Sequence, residues 1–189
     1  MIHDVDLLAK QLRQDGYVVF QLLSPEEAAG INGLVRGLEL CGCGSRTSIQ
    51  HRIAELIPTG GAAVAKLVCH PDLLALLSQY LGDNFRCATF SSNTLLPQDG
   101  SLGTGLGWHA DYPYHDIGSP WPPPEYPQGC QVLICLDEFR EDNGGTMFMP
   151  NSHKDKPPGL EEDYEGTFPG SVILKAPAGS VLVAHSAWM

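Results

Sequence analysis

Apolar and polar positions divide the chain into a helical beginning and a strand-rich remainder. Ser24-Pro25-Glu26-Glu27 supplies a capping residue, a proline at the first helical position and a glutamate three residues after the cap, which predicts a helix running to about Leu38. Leu73 to Leu81 is an apolar helical stretch with Pro71 at its first turn. Cys41 to Ser48 is polar and glycine-rich and reads as a loop. Phe85 to Leu96 alternates loosely and stops at Pro97, as a strand does. Gly100 to Gly107 reads as a flexible approach to Trp108 and His109, and Trp121-Pro122-Pro123-Pro124 can be neither helix nor central strand. Gln131 to Leu136 and Thr146 to Met149 are expected to pair as strands around a turn at Asp142 to Gly145, with further strands at Val172 to Leu174 and Val181 to Ala184. Helices leading into a β-rich body with Gly and Pro turns predict a mainly β fold with flanking helices, a double-stranded β-helix or jelly roll.

At 189 residues the chain suits one domain, with helices over about 1–82 and a β-barrel core over about 83–189. Hydrophobic residues at 43% and charged residues at 17% are globular values without a disorder signature. No apolar run approaches a membrane span, and the acidic start at Met1-Ile2-His3-Asp4 is unlike a signal peptide. The net charge of −11 speaks against nucleic acid or an anionic membrane as partner. Six cysteines show neither zinc spacing nor a disulfide framework. Cys69, Cys87, Cys130 and Cys135 fall in apolar stretches and read as buried small hydrophobes, and reduced thiols suit a cytoplasmic location.

Three His-x-Asp pairs occur, at His70-Asp72, His109-Asp111 and His153-Asp155, where roughly 0.4 would arise by chance. On a strand such a pair places imidazole and carboxylate on one face, two of the three ligands of a facial triad for non-haem iron. Asp72 reads instead as an acid stabilising a helix N-terminus. His153 and Asp155 lie between lysines and run into Pro157-Pro158, a cationic loop ill suited to a divalent metal. The middle pair is free of adjacent cations and flanked by glycine and aromatic residues.

The ordered set of motifs resembles the phytanoyl-CoA dioxygenase family of Fe(II)- and 2-oxoglutarate-dependent oxygenases. It comprises Asp15-Gly16-Tyr17-Val18-Val19-Phe20, the helix start at Ser24, His70-Pro71 to Leu81-Gly82, Trp108-His109-Ala110-Asp111, Gln131 to Phe139 with Asp142-Asn143-Gly144, Pro150-Asn151-Ser152-His153 and Ala178-Gly179-Ser180-Val181-Leu182-Val183. The resemblance implies a cupin-like jelly roll in which His109 and Asp111 hold Fe(II). Its 2-oxoglutarate cosubstrate is converted to succinate while O2 oxidises a small organic substrate, most simply by hydroxylation. Asp111 speaks against the related halogenases, which carry a small residue there. Asn93 and Thr146 are candidates for contacting the cosubstrate, or are ordinary strand polar residues. Tyr112, Tyr114 and Trp121 are candidates for lining the substrate mouth, or are loop packing.

The family register, counted from Gly179, places the second metal histidine one residue beyond Met189 and the cosubstrate arginine further on; no Lys or Arg follows Lys175. His185 is the one in-chain candidate for the third ligand, and its offset suits a polar residue beside the site better. The expectation is weak metal binding by these 189 residues. The chain is then a piece of a longer frame with the roll C-terminally incomplete, or was cut, or departs from the family's chemistry. Two other readings stay open: a cupin-like metalloenzyme that does not use 2-oxoglutarate, and an inactive relative that keeps the fold. The acidic charge and the absence of Lys or Arg between Arg86 and Arg140 favour a free amino acid or secondary metabolite over an acyl-CoA substrate.

Overall fold

A computed structural model describes residues 4–96, 108–109, 127–154 and 169–186. Four helices precede most of the strands: α1 (Val5–Asp15), α2 (Pro25–Leu40), α3 (Leu56–Val68) and α4 (Pro71–Leu81). The strands are β1 (Tyr17–Gln21), β2 (Ser45–Arg46), β3 (Gln50–Ile53), β4 (Ser92–Leu95), β5 (Cys130–Ile134), β6 (Met147–Phe148), β7 (Val172–Ile173) and β8 (Ser180–His185).

Each helix that the sequence announces has its signal realised. Glu27 N–H donates to Ser24 Oγ at 3.2 Å and Ser24 N–H donates to Glu27 Oε2 at 2.8 Å, so two orphan amides of α2 are satisfied reciprocally. These bonds hold the Glu27 carboxyl below its ordinary pKa. Pro71 occupies the first turn of α4 beside Asp72. Helix α1 ends because Gly16 turns left-handed at φ 82° and returns its N–H to Leu12.

The central sheet has the order β1-β8-β5, both pairings antiparallel. All six residues of β8 are buried, because both faces of this strand are covered. Alternation divides them. Val181 and Val183 join Val18, Phe20 and the helical residues Leu12, Leu73, Leu76, Leu77 and Tyr80 in the larger core. Leu182 and Ala184 face the other way, onto Cys135, Phe148, Leu174 and Ala176, with Tyr17 and Val19 packed against them. The sheet is therefore a wall between a helical layer and an inner strand-lined layer. A second sheet, β2-β3-β4, packs through Ile53 on a third cluster containing Val35, Leu56 and Val64.

The structure corrects several expectations. The segment at Gln131 does not pair with that at Thr146: β5 pairs with β8, and β6 with β7. A turn joins them in sequence, but hydrogen-bonded neighbours are chosen by long-range sheet order. Of the stretch from Phe85 to Leu96 only Ser92–Leu95 is strand, with Phe90 in an isolated bridge to Glu55. The Cys41–Ser48 loop contains β2. Cys69 and Cys87 are exposed and only Cys135 is buried; Cys69 caps the end of α3 and Cys87 lies outside any element, where little covers them. Among the described residues the strands form three separate sheets rather than a closed barrel. No single described helix is long and apolar enough to cross a membrane.

Candidate functional site

The inner face of the central sheet is where a strand-lined site would be built. Register fixes its lining: Tyr17 lies opposite Ala184, which lies opposite Gln131, while Val19, Leu182 and Leu133 form the next row. Directly paired residues share a face. The floor is thus apolar, with Tyr17 and Phe148 in ring contact at 4.8 Å. Polar atoms enter at the Cys130 end of the sheet, where Gln131 is half-buried and Ser186, in phase with Ala184, is buried with its N–H bonded to Gly129 O at 3.3 Å. Gln131 is the lone polar residue in an otherwise apolar strand, and its register opposite Ala184 puts it on this face.

Of the first metal motif the structure describes Trp108, half-buried, and His109, exposed. Asp111 lies outside the described residues, as do Tyr112, Tyr114 and Trp121. Asn93 is exposed on β4, directly opposite Arg52. No sequence signal marks Arg52, because only the pairing of β3 with β4 brings it there. Thr146 is half-buried immediately before β6, and its carbonyl accepts from Leu174 N–H at 2.8 Å.

His185 points to the helical layer, in phase with Val181 and Val183. Its ring meets Tyr80 edge-on at 6.4 Å and lies 5.7 Å from the buried His153 ring. Burial, reinforced by His153, pushes its pKa down to about 4, so the ring stays neutral at ordinary pH. Gly16 closes the cluster: a Cβ there would sit 2.2 Å from His153 Nδ1, so the chain can turn at that point only without a side chain. His185 is thus a packing residue between sheet and helices. Among the described residues no three His, Cys, Asp or Glu side chains assemble as a metal-holding group. The described donors alone do not complete a facial triad.

The Asp142-Asn143-Gly144 motif has a structural task. Asn143 Nδ2 donates to Glu138 O at 2.6 Å, and its Oδ1 accepts from Arg140 N–H at 2.8 Å. Arg140 Nε reaches Asp142 at 2.7 Å and holds the Asp142 carboxyl below its usual range. Gly144, at φ 86°, leaves space that Leu95 fills. The cysteines offer no nucleophile on the sheet, since burial pushes the thiol of Cys130 up to about 12 and that of Cys135 to about 11.

The profile of the family described as Phytanoyl-CoA dioxygenase (PhyH) matches residues 12–189. The chain belongs to this family. Among solved structures it is similar to the epimerase SnoN, crystallised with Fe3+, alpha ketoglutarate and nogalamycin RO, at 20% identity and a TM-score of 0.67 over 97% of this chain and 75% of that one. It is also similar to HygX from Streptomyces hygroscopicus, crystallised with nickel, 2-oxoglutarate and hygromycin B, at 15% identity and a TM-score of 0.68 over 97% of this chain and 78% of that one. At such identities the likeness shows a shared fold, mainly sheet with helices.

Proposed function

We propose that this member of the phytanoyl-CoA dioxygenase family is an Fe(II)- and 2-oxoglutarate-dependent oxygenase acting on a small organic molecule. The observation that carries the reading is the family match across the Trp108-His109-Ala110-Asp111 motif. His109 and Asp111 would hold the metal, imidazole and carboxylate being the donors that suit non-haem iron. Bound there with its cosubstrate, the metal supplies an oxidation coupled to decarboxylation of 2-oxoglutarate to succinate. Two structural relatives were crystallised with a metal and 2-oxoglutarate, SnoN with Fe3+ and HygX with nickel, which supports both cofactors. Hydroxylation is the reading we adopt for the substrate step.

The chain's own residues contribute shape and dryness. Tyr17, Val19, Leu133 and Leu182 make an apolar floor that excludes water, and Gln131 and Ser186 present polar atoms beside it. We assign the fold to the jelly roll, with the wall β1-β8-β5 as part of its helix-covered sheet. The ligands of the two relatives, nogalamycin RO and hygromycin B, agree with a free small molecule rather than an acyl-CoA, and so does the net charge of −11. The second reading is a relative that keeps the fold without the metal.

The test is succinate formation with O2 consumption by the protein expressed from its complete gene, supplied with Fe(II) and 2-oxoglutarate. Activity abolished by Asp111→Ala with an unchanged circular dichroism spectrum supports the first reading. Absence of succinate in every condition, or full activity in Asp111→Ala, refutes it.

A further inference from the structure

The two larger sheets lie side by side under one helical layer. The central sheet packs on α1 and α4 through Leu12, Leu76 and Tyr80, and the sheet β2-β3-β4 packs Ile53 on Val35 of α2 and Val64 of α3. Ile31 and Phe90 border both of these clusters, so the helical cover is continuous. The helix-free faces of the two sheets therefore look to the same side. Along β3 and β4 burial alternates: His51, Ile53 and Ser92 are buried toward the helices, while Arg52, Asn93 and Leu95 are exposed on the opposite face. The turn before β6 closes over that side. Leu95 fills the space that Gly144 leaves, and Phe148 of β6 meets Tyr17 of the central floor at 4.8 Å. Arg52 thus stands on the same side as the floor of Tyr17, Val19 and Leu133, although its own sheet lies apart from it.

Strand register builds a polar row around this arginine. Ser45 lies opposite Arg52, and Arg52 opposite Asn93, so hydroxyl, guanidinium and amide stand in line across three strands at roughly 5 Å spacing. Arg52 is on the middle strand, with a ladder on each side fixing its backbone. None of the three makes an ion pair or side-chain hydrogen bond among the described residues. The acidic groups of the turn before β6 are already matched: Arg140 pairs with Glu138 and Asp142, and Lys175 with Glu141. Arg52 is thus an unmatched cation on the inner side of a protein whose net charge is −11. A guanidinium offers paired N–H groups in one plane, the geometry of a carboxylate.

We propose that Arg52 determines substrate specificity by gripping a carboxylate of the substrate, with Asn93 and Ser45 donating beside it and the apolar body of the substrate over the central floor. This deepens the oxygenase reading and rests on it, naming the substrate class as an apolar monocarboxylate. The row carries one cation, which matches one carboxylate and falls short of a polyphosphate. A neutral or cationic substrate would leave the guanidinium unused. The apolar floor excludes water from the rest of the ligand, which strengthens the charged contact.

Isothermal titration calorimetry of the protein expressed from its complete gene, free of metal, tests this with 3-phenylpropanoate, its neutral isostere 3-phenylpropanamide, and 2-oxoglutarate. The carboxylate should bind with one-to-one saturation and the amide about tenfold or more weaker, the worth of one charge-assisted hydrogen bond. Arg52→Gln should weaken 3-phenylpropanoate by about tenfold or more and leave the amide unchanged, a split that a structural role for Arg52 would not produce. Arg52→Lys should recover part of the loss, since an ammonium keeps the charge without the paired geometry. Thermal melting checks the fold of each variant. No saturable binding of 3-phenylpropanoate, equal binding of the amide, or indifference to Arg52→Gln overturns the proposal. So does 2-oxoglutarate binding more tightly than 3-phenylpropanoate through Arg52, which would give the arginine to the cosubstrate. Because the titrations contain no iron, their failure is distinct from a failure to form succinate.

Discussion

His185 makes the stability of this protein depend on pH in a calculable way. Its side chain is 7% exposed, wedged between β8, Tyr80 of α4 and His153. Burial first, and His153 second, bring its pKa from 6.5 down to about 4. The unfolded chain takes up a proton below about pH 6.5 while the folded protein refuses it until about pH 4. The unfolded state then holds more protons in that window, so stability falls as pH falls through it. Above about pH 6.5 the contribution is fully intact. Linkage gives a loss of about 1 kcal/mol by about pH 5.5 and about 2 kcal/mol by about pH 5. Urea unfolding of the wild type and His185→Phe at roughly pH 7.5, 6.5 and 5.5 reads this group together with its coupling to His153, the more distant histidines and the carboxylates being common to both proteins. The wild type should lose about 1 kcal/mol more than the variant between the extremes. Parallel stability profiles for the two proteins would refute a neutral, buried His185.

Three further outcomes test local packing, capping and exposure. Gly16→Ala should destabilise by more than the roughly 1–2 kcal/mol of a left-handed alanine, because the new methyl meets His153; a thermal melt within error of wild type would contradict it. Ser24→Ala should cost about 1 kcal/mol in urea unfolding through loss of the capping box, and Ser24→Asp should recover most of it. Thiol labelling of the native protein at mildly alkaline pH should modify the exposed Cys41, Cys69 and Cys87 rapidly and Cys135 only on unfolding, as read by mass spectrometry.

How much of the fold and site is legible in the chain varies with the range of the interaction. Helix α2 is readable because its start is set within four residues, from Ser24 to Glu27, and those residues make the bonds themselves. Helix α4 is readable from Pro71, whose fixed φ suits a first helical turn, with no capping bond from His70. Helix α3 is hidden by Gly60-Gly61, and Gly61 indeed departs from helical geometry at φ 63°. The partner of β5 is not legible because the turn at Asp142 to Gly145 suggests a local hairpin, whereas Ser180–His185 arrives from far along the chain and takes the central place. The orientation of His185 comes from period-two counting once Val181 and Val183 are known to face helices. That knowledge is tertiary. Gln131 and Arg52 are of the same kind, ordinary in sequence and placed only by strand register.

In the proposed function His109 and Asp111 hold an iron to which 2-oxoglutarate binds. The most direct measurement is anaerobic addition of Fe(II) and then 2-oxoglutarate to the protein expressed from its complete gene, monitored by visible absorption. Chelation of 2-oxoglutarate to a protein-bound Fe(II) should produce a charge-transfer band in the wild type, and Asp111→Ala and His109→Ala should each lose it while keeping their fold. A wild-type protein that shows no band at saturating Fe(II) and 2-oxoglutarate, or variants that keep the full band, would contradict the account.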